Sequence, residues 1–295
     1  MKKVLITGAN SYIGVSFEHY VQRCYGSALL IDTVDMLDGT WREKDFAPYD
    51  IVFHVAGIAH ADTGRMTEEI KARYYAVNTE LAIETARKAR DEGVGQFVFM
   101  SSAIIYGDSA PYGTMKRISR NTEPCPVNFY GDSKWKADQA LRKMAGDGFL
   151  VTVLRPPMIY GKGSRGNYPL LAKMAKKLPV FPEMHNERSM LYIGNFCEFL
   201  AQVMIRGEGG IFWPQNPEYT STSEMVRMIA EVCGHRIRIS RGWNWVVSLA
   251  LALPGRPSAL AGKAFGNLSY DMEMSRCDFE YQRFGLRESI EETEV

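Results

Sequence analysis

The chain is predicted to fold as an α/β protein with a doubly wound parallel sheet and a smaller C-terminal lobe. Three observations predict this: apolar runs of strand length, their alternation with helix-length segments, and a rise in glycine and proline in the second half. The runs are KVLIT (3–7), ALLID (28–32), DIVFHVA (50–56), QFVFMSS (96–102) and LVTVLRP (150–156). Each is continuously apolar rather than alternating, as expected of parallel strands covered on both faces. Between the third and fourth runs, residues 68–93 place Ile70, Tyr74, Val77, Leu81 and Ala82 at three- and four-residue spacing before Gly93, which predicts one amphipathic helix with a glycine stop. After Arg155 the stretch RPPMIYGKGSRGNYP is dense in turn formers. It sets the boundary of the second lobe, giving units of 1–157 and 158–295 that are expected to interleave.

Composition limits the function classes. The chain has 295 residues, 46% hydrophobic and 23% charged, enough for a sizeable core. Thirty-five basic side chains against thirty-four acidic ones leave a formal net charge of +1, so no whole-chain field recruits nucleic acid. Cys24, Cys125, Cys197, Cys233 and Cys277 are odd in number and lack CxxC spacing. That disfavours a disulfide framework and a zinc site and fits a reducing, cytoplasmic setting. His19, His54, His60, His185 and His235 show no metal-ligand spacing, and no metal is predicted. The longest apolar run, Trp243 to Leu253, is about half the ~20 residues needed to cross a bilayer. It reads as a core or lobe-packing helix. With Arg236, Arg238, Arg241 and Arg256 on its flanks, peripheral membrane contact is the lesser alternative.

The first strand runs into TGANSYIG, with Gly8 at the strand end and Gly14 where a helix should begin. Backbone amides of such a turn can approach a pyrophosphate, and the helix amino terminus adds partial positive charge. The middle glycine of a GxxGxxG pattern is Ser11 here. Eighteen residues beyond Gly14, Asp32 ends the second strand, where a carboxylate accepts from both hydroxyls of an adenosine ribose and repels a 2′-phosphate. The first unit therefore reads as a Rossmann-type domain for NAD rather than NADP, with Gly8, Asn10, Ser11, Tyr12, Ile13, Gly14 and Asp32 toward the cofactor. Asp35 and Asp38 read as turn residues.

NFYGDSKW (128–135) sets Tyr130 and Lys134 four positions apart, on one face of a helix with Cβ atoms ~5–6 Å apart. A phenol of ordinary pKa near ~10 needs a neighbouring cation to take a proton at neutral pH. Such pairs also meet by chance, so the spacing alone does not establish a site. The fourth strand, however, ends in FMSSAIIYG, which puts Ser101 and Ser102 at a strand carboxyl end, where ligands sit in open α/β sheets.

With these residues the sequence resembles the extended short-chain dehydrogenase/reductase family, within it the nucleotide-sugar 4-epimerases and reductases. The resemblance runs through TGANSYIG, HVAGIAH (54–60), VNTE around Asn78, SSAIIYG, YGDSK, LRPPMIYG and NERSMLYIGN (186–195). It implies Tyr130 as general base or acid, Lys134 as the residue that lowers its pKa and holds the nicotinamide ribose, and Ser102 as the hydroxyl that orients the sugar oxygen. It also implies Ala56, Gly57 and Asn78 along the cofactor, Arg188 on the nucleotide diphosphate, and Asn167 and Tyr168 near the base. Arg155 reads as structural. Bare spacing also allows Arg188 to pair with Glu187 or Glu183.

Sugar dehydratases of the family carry threonine, aspartate and glutamate where this chain has Ser102, Ala103 and Ile104, so dehydration is disfavoured. The resemblance implies a UDP-sugar 4-epimerase, with a UDP-4-keto-6-deoxy-sugar reductase as the alternative and a non-catalytic dinucleotide sensor as the lesser one. Met158 stands where many epimerases have an asparagine facing the diphosphate. A homodimer is the expected partner state, through helices around 68–92 and 132–146. The stripe Ala137, Ala140, Leu141 and Met144 could serve that dimer or cover the sheet.

Overall fold

The computed structural model describes residues 1–59 and 67–295, with no side-chain description at 256, 257, 259 and 260. His60 and the Arg256 side chain therefore lie outside the described residues. Five of the apolar runs form parallel strands β1 (Lys2–Thr7), β2 (Leu29–Val34), β3 (Ile51–His54), β4 (Gln96–Met100) and β5 (Leu150–Leu154). A sixth strand, β6 (Gly210–Phe212), comes from the second half of the chain and pairs in parallel with β5. The order is β6-β5-β4-β3-β1-β2.

Successive side chains of each strand supply opposite faces of this sheet. Val4, Ile6, Ile51, Phe53, Val98 and Met100 join one cluster with Phe17 and Val21 of helix Tyr12–Cys24 and Phe196 and Leu200 of helix Ile193–Arg206. Leu5, Val52, Phe97 and Phe99 join the other, with Ala82 and Ala86 of helix Leu81–Asp91 and Ala137 and Leu141 of helix Phe129–Arg142. Both faces are dry, which is why the runs are continuously apolar. Of the stripe Ala137, Ala140, Leu141 and Met144, Ala137 and Leu141 are fully buried against the sheet and Met144 packs beside them, while Ala140 is half-buried.

The segment read as one helix over 68–93 is helical from Glu68 to Asp91, with a π turn at Ala76–Glu80. Gly93, at φ 85°, follows its end. The π turn holds Asn78, and such bulges accompany functional sites. Asp35 and Asp38 accept from the backbone N–H of Leu37 and Thr40 two residues on, as turn residues do.

Beyond residue 158 the chain builds a second core. Tyr160, Tyr168, Leu171, Phe181, Met190, Met225, Ile229 and Ile290 pack together. Two parallel pairs of short strands, Met158–Tyr160 with Met190–Tyr192 and Val180–Pro182 with Arg238–Ser240, frame it. Buried Glu198 accepts from Tyr20 (2.6 Å), Tyr25 (2.7 Å) and Arg283 (2.7 Å), and so fastens helix Ile193–Arg206 to the first helix. None of the described helices is long and apolar enough to cross a membrane.

Candidate functional site

The loop after β1 has the conformation that close backbone approach demands. Gly8 has φ 96°, and a Cβ there would stand 2.9 Å from the Ala56 backbone nitrogen; only glycine satisfies both conditions. Asn10 follows in the left-handed region at φ 64°. Ser11, in the place of the middle glycine, is the N-cap of helix Tyr12–Cys24, its hydroxyl accepting from Gly14 N at 3.2 Å. The serine hydroxyl is thus turned into the helix. Tyr12 directs its hydroxyl at Gly161, without a partner among the described residues, and Ile13 packs into the core. Neither residue lines the cleft beside the loop. Gly8, Asn10 and Gly14 line a cleft with Ala9, Val15, Glu18 and Thr33.

Asp32 stands exposed at the edge strand β2. It accepts from Thr33 N (2.8 Å), Lys44 (3.1 Å) and the Tyr49 hydroxyl. Burial alone would raise its pKa, but the bonds from Tyr49 and Lys44 outweigh that and hold the carboxyl below its ordinary range. An ionised carboxylate and a cradle only a glycine fits are the parts a dinucleotide needs, so the residues present fit NAD. Lys44 and Tyr49 carry no signal in the sequence beyond a position shortly after the second strand. Lys44 also sets a cation beside the acid. Asp32→Ser is therefore expected to weaken NADH binding about tenfold, the range of a charge-assisted hydrogen bond, and to strengthen NADPH binding. Fluorescence titration of both nucleotides checks this, and an unchanged ratio would remove the ribose role from Asp32.

At the carboxyl end of β4 the structure brings together most of the remaining candidates. Helix Phe129–Arg142 starts at Asn128, whose side chain caps Gly131 N at 2.8 Å; this is what the opening of NFYGDSKW does. Lys134 is buried, donates to Met100 O at 2.9 Å, and has its pKa pulled down to about 8 by burial. A Cβ at Gly57 would lie 3.0 Å from Lys134 Nζ and 3.1 Å from Asn78 Oδ1, so Gly57 is the gap in which lysine and asparagine meet. Asn78 is fixed by Ile58 N (2.8 Å), Ile58 O (3.1 Å) and Ser133 Oγ (3.1 Å). Ser102 caps the short helix Ala103–Tyr106, its hydroxyl accepting from Ile104 N at 3.3 Å. Burial pushes the Tyr130 phenol up to about 12, and the nearby Ser102 hydroxyl opposes that rise. The lysine ammonium is committed to the Met100 carbonyl, so the group that favours the phenolate here is Ser102.

Under this cluster lies a network that the sequence reading did not find. Asp138, fully buried one helical turn past Lys134, is held bidentate by Arg155 (2.9 Å and 2.9 Å) and accepts from Ser101 (2.9 Å) and Arg142 (2.9 Å). Arg155 also donates to the Tyr106 hydroxyl at 2.7 Å. It is structural, as its strand-end position implied, and it ties the helix of Tyr130 and Lys134 to the end of β5. The missed signal was Asp138 and Arg142 at i and i+4.

Ser102, Tyr130 and buried Lys134 gather at the carboxyl end of β4, and the glycine loop and Asp32 stand at the ends of β1 and β2. Residues 4–212 match the profile of the NAD dependent epimerase/dehydratase family. The chain belongs to that family. It is an NAD-dependent enzyme of the extended short-chain dehydrogenase/reductase kind. Among its relatives is a UDP-glucose 4-epimerase of Vibrio cholerae, 27% identical over 251 residues, 78% of this chain and 75% of the relative. Another is the Escherichia coli O157:H7 N-acetyl-alpha-D-glucosaminyl-diphospho-ditrans,octacis-undecaprenol 4-epimerase, 31% identical over 171 residues, 56% of this chain. Of that relative this match spans 49%, about half its length. A Bacillus anthracis dTDP-4-dehydrorhamnose reductase in complex with NADP shares the fold, with a TM-score of 0.72 at 17% identity over 99% of this chain and 98% of that one.

A second cleft opens in the C-terminal lobe of this family member, lined by Met158, Asn167, Met190, Arg188, Met225 and Phe265 among others. Arg188 donates to the carbonyls of Lys263 and, at 3.2 Å, Ala264, at the C-terminal end of helix Arg256–Phe265. Neither weighed acid claims it: Glu187 pairs with Arg117 (2.8 Å) and Glu183 with Arg241 (3.3 Å) and His185 (3.3 Å). Among the described residues no carboxylate forms an ion pair with Arg188, and burial lowers its pKa. Asn167 opens helix Asn167–Lys177 at the cleft, where Gly166 provides no side-chain cap. Its neighbour Tyr168 faces the other way: it stacks on Tyr160 at 5.2 Å and donates to Glu294 at 2.8 Å. The Tyr168 side chain is therefore absent from the cleft wall that Asn167 joins. It is the first inward position of its helix.

Proposed function

We propose that this enzyme inverts carbon 4 of a sugar carried on uridine diphosphate. The observation that carries the reading is the grouping of Ser102, Tyr130 and Lys134 with Gly57 and Asn78 at the carboxyl end of β4. In this reading Tyr130 takes the proton of the sugar 4-hydroxyl and later returns it, Ser102 holds the same oxygen, and Lys134 orients the ribose. Bound NAD supplies the acceptor and donor of hydride at that carbon. Gly8, Asn10, Gly14 and the start of the first helix would hold its pyrophosphate, and Asp32 its adenosine ribose. Arg188, a cation that lacks a carboxylate, and the uncapped amides at Asn167 suit the substrate diphosphate. Both relatives named above act on diphosphate-linked sugars, by their names. We also take residues 1–157 as the cofactor unit and 158–295 as the sugar-binding lobe, interleaved through β6 and helix Ile193–Arg206.

Met158 in the cleft wall gives a second reading some support: with no amide there to meet the diphosphate, a UDP-4-keto-6-deoxy-sugar reductase fits as well. The deciding experiment incubates purified protein with UDP-glucose, UDP-GlcNAc and a UDP-4-keto-6-deoxy-GlcNAc, following absorbance at 340 nm and product stereochemistry by NMR. An epimer formed with catalytic NAD and no lasting absorbance change supports the epimerase. Stoichiometric NADH or NADPH loss with the keto sugar alone replaces it with the reductase, and dinucleotide binding without turnover leaves a sensor. With the active substrate, Arg188→Met is expected to raise KM by about 10- to 100-fold with kcat little changed, the effect of losing a charge-assisted bond made equally in ground and transition states. A fall in kcat alone would move Arg188 away from substrate holding.

A further inference from the structure

Helix Asn244–Ala252 was expected to be a core or lobe-packing element, and only half of it is. Val247 is buried in the C-terminal core, with Ala250 and Leu251 packed against it. On the outer side Trp245 is 61% exposed, Leu249 52% and Leu253 45%, and Trp243 just before the helix is 49% exposed. Trp245, Leu249 and Leu253 follow at four-residue steps and so form one stripe. A helix apolar all round belongs in a core or in lipid, and this one has protein on one side only.

Its surroundings are basic where the helix starts. Asn244 binds both Glu183 N (2.9 Å) and Glu183 O (2.8 Å), which pins the helix start to the end of strand Val180–Pro182. The strand paired to it, Arg238–Ser240, exposes Arg238, preceded by exposed Arg236. Arg241 follows, its side chain 76% exposed despite a 3.3 Å contact with Glu183. Exposed arginines therefore precede the stripe along the chain, and Glu183, the acid that Arg241 contacts, is also engaged by His185. Indole rings at the rim of an apolar stripe with cations beside them match the headgroup region of an anionic bilayer.

We propose that the helix Asn244–Ala252 docks this enzyme on an anionic lipid surface, with Trp243, Trp245, Leu249 and Leu253 in the headgroup–acyl boundary and Arg236, Arg238 and Arg241 on lipid phosphates. This goes beyond the proposed sugar chemistry. Docking also places the second cleft at the membrane: helix Arg256–Phe265, joined to the docking helix by the Ser258–Leu251 bond (3.1 Å), gives that cleft Lys263, Ala264 and Phe265.

The test is co-sedimentation of the full chain with vesicles of phosphatidylcholine and with vesicles containing phosphatidylglycerol, at low and high salt and without sugar substrate. Pelleting with the phosphatidylglycerol vesicles is expected, weakened by salt. Two double variants, Trp245→Ser with Leu249→Ser and Arg238→Glu with Arg241→Glu, are each expected to lose about tenfold or more in partitioning. Both should keep the melting temperature and NADH affinity of the parent. No pelleting with either vesicle, or pelleting unaffected by both double variants, would overturn the proposal. So would a concentration-dependent dimer that Trp245→Ser dissociates without any vesicle binding, because a second copy would then cover the stripe. Since no sugar is present, failure of the proposed reaction leaves this readout intact, and the reverse holds too.

Discussion

Tyr130→Phe is expected to lower kcat by about 10³-fold, within the ~10²–10⁴ range of a positioned acid–base group, while NADH affinity stays within about threefold of the parent. The hydroxyl removed lies at the end of a phenol already packed against Tyr74 (6.1 Å, edge to face), so phenylalanine keeps the packing and loses only the proton carrier. The pH profile gives a second reading of the same site. Burial pushes the phenol up to about 12, and activity as a base rises as the phenolate forms. The rate should therefore climb with pH through that limb. Ser102→Ala removes the hydroxyl that opposes the rise of the Tyr130 pKa, so the limb should move to higher pH, and rate at neutral pH should fall. A serine with only a structural part, capping Ala103–Tyr106, would lower stability and leave the limb in place. Lys134→Met should shift the limb the same way only if the ammonium leaves the Met100 carbonyl for the ribose during turnover. Steady-state rates across pH for the three variants, beside NADH titrations, check this. A Tyr130→Phe enzyme with more than about a tenth of parental kcat would remove the tyrosine from proton transfer.

Arg155→Met is expected to cost about 3–5 kcal/mol of stability, the range for breaking one side of a buried ion pair. Asp138 is fully buried and Arg155 nearly so, so solvent does not screen the loss. The substitution leaves a carboxylate with Ser101 and Arg142 alone, at the base of the helix that carries Tyr130 and Lys134. For a chain of this size about 1 kcal/mol moves Tm by ~2–4 °C, so a fall of roughly 6 °C or more should appear in a thermal melt. Asp138→Leu together with Arg155→Met should recover part of the loss, since an apolar pair of similar volume avoids the buried charge. The guanidinium also lies over Trp135 (5.4 Å), Tyr106 (5.6 Å) and Trp213 (5.7 Å), and methionine fills part of that aromatic cage. An unchanged Tm in Arg155→Met would mean that the network does not hold the helix.

What the amino-acid sequence determined by itself is everything carried by neighbours along the chain. The five strands were legible because both faces of a covered sheet must be apolar, which writes itself as unbroken runs such as QFVFM. Gly8 was legible because a left-handed turn after a strand demands it, and Tyr130 with Lys134 because one helical turn separates them. Asp35 and Asp38 were legible as turn residues for the same local reason.

The tertiary structure alone decided what depends on partners far apart in sequence. That Asp138 meets Arg155, and that Lys44 and Tyr49 meet Asp32, follows from how separate elements dock, and no periodicity records it. The stripe at Ala137 and Leu141 and the apolar run after Trp243 look alike as sequence, since hydrophobicity states that a surface is to be covered and not by what. Packing covered Ala137 and Leu141 with the sheet, buried Val247 of the second run in the C-terminal core, and left Trp245, Leu249 and Leu253 exposed. Tyr168 beside Asn167 makes the same point on the scale of one residue: a helix turns ~100° between them, and only the placement of that helix against Tyr160 and Glu294 sends one side chain to the cleft wall and the other into the core.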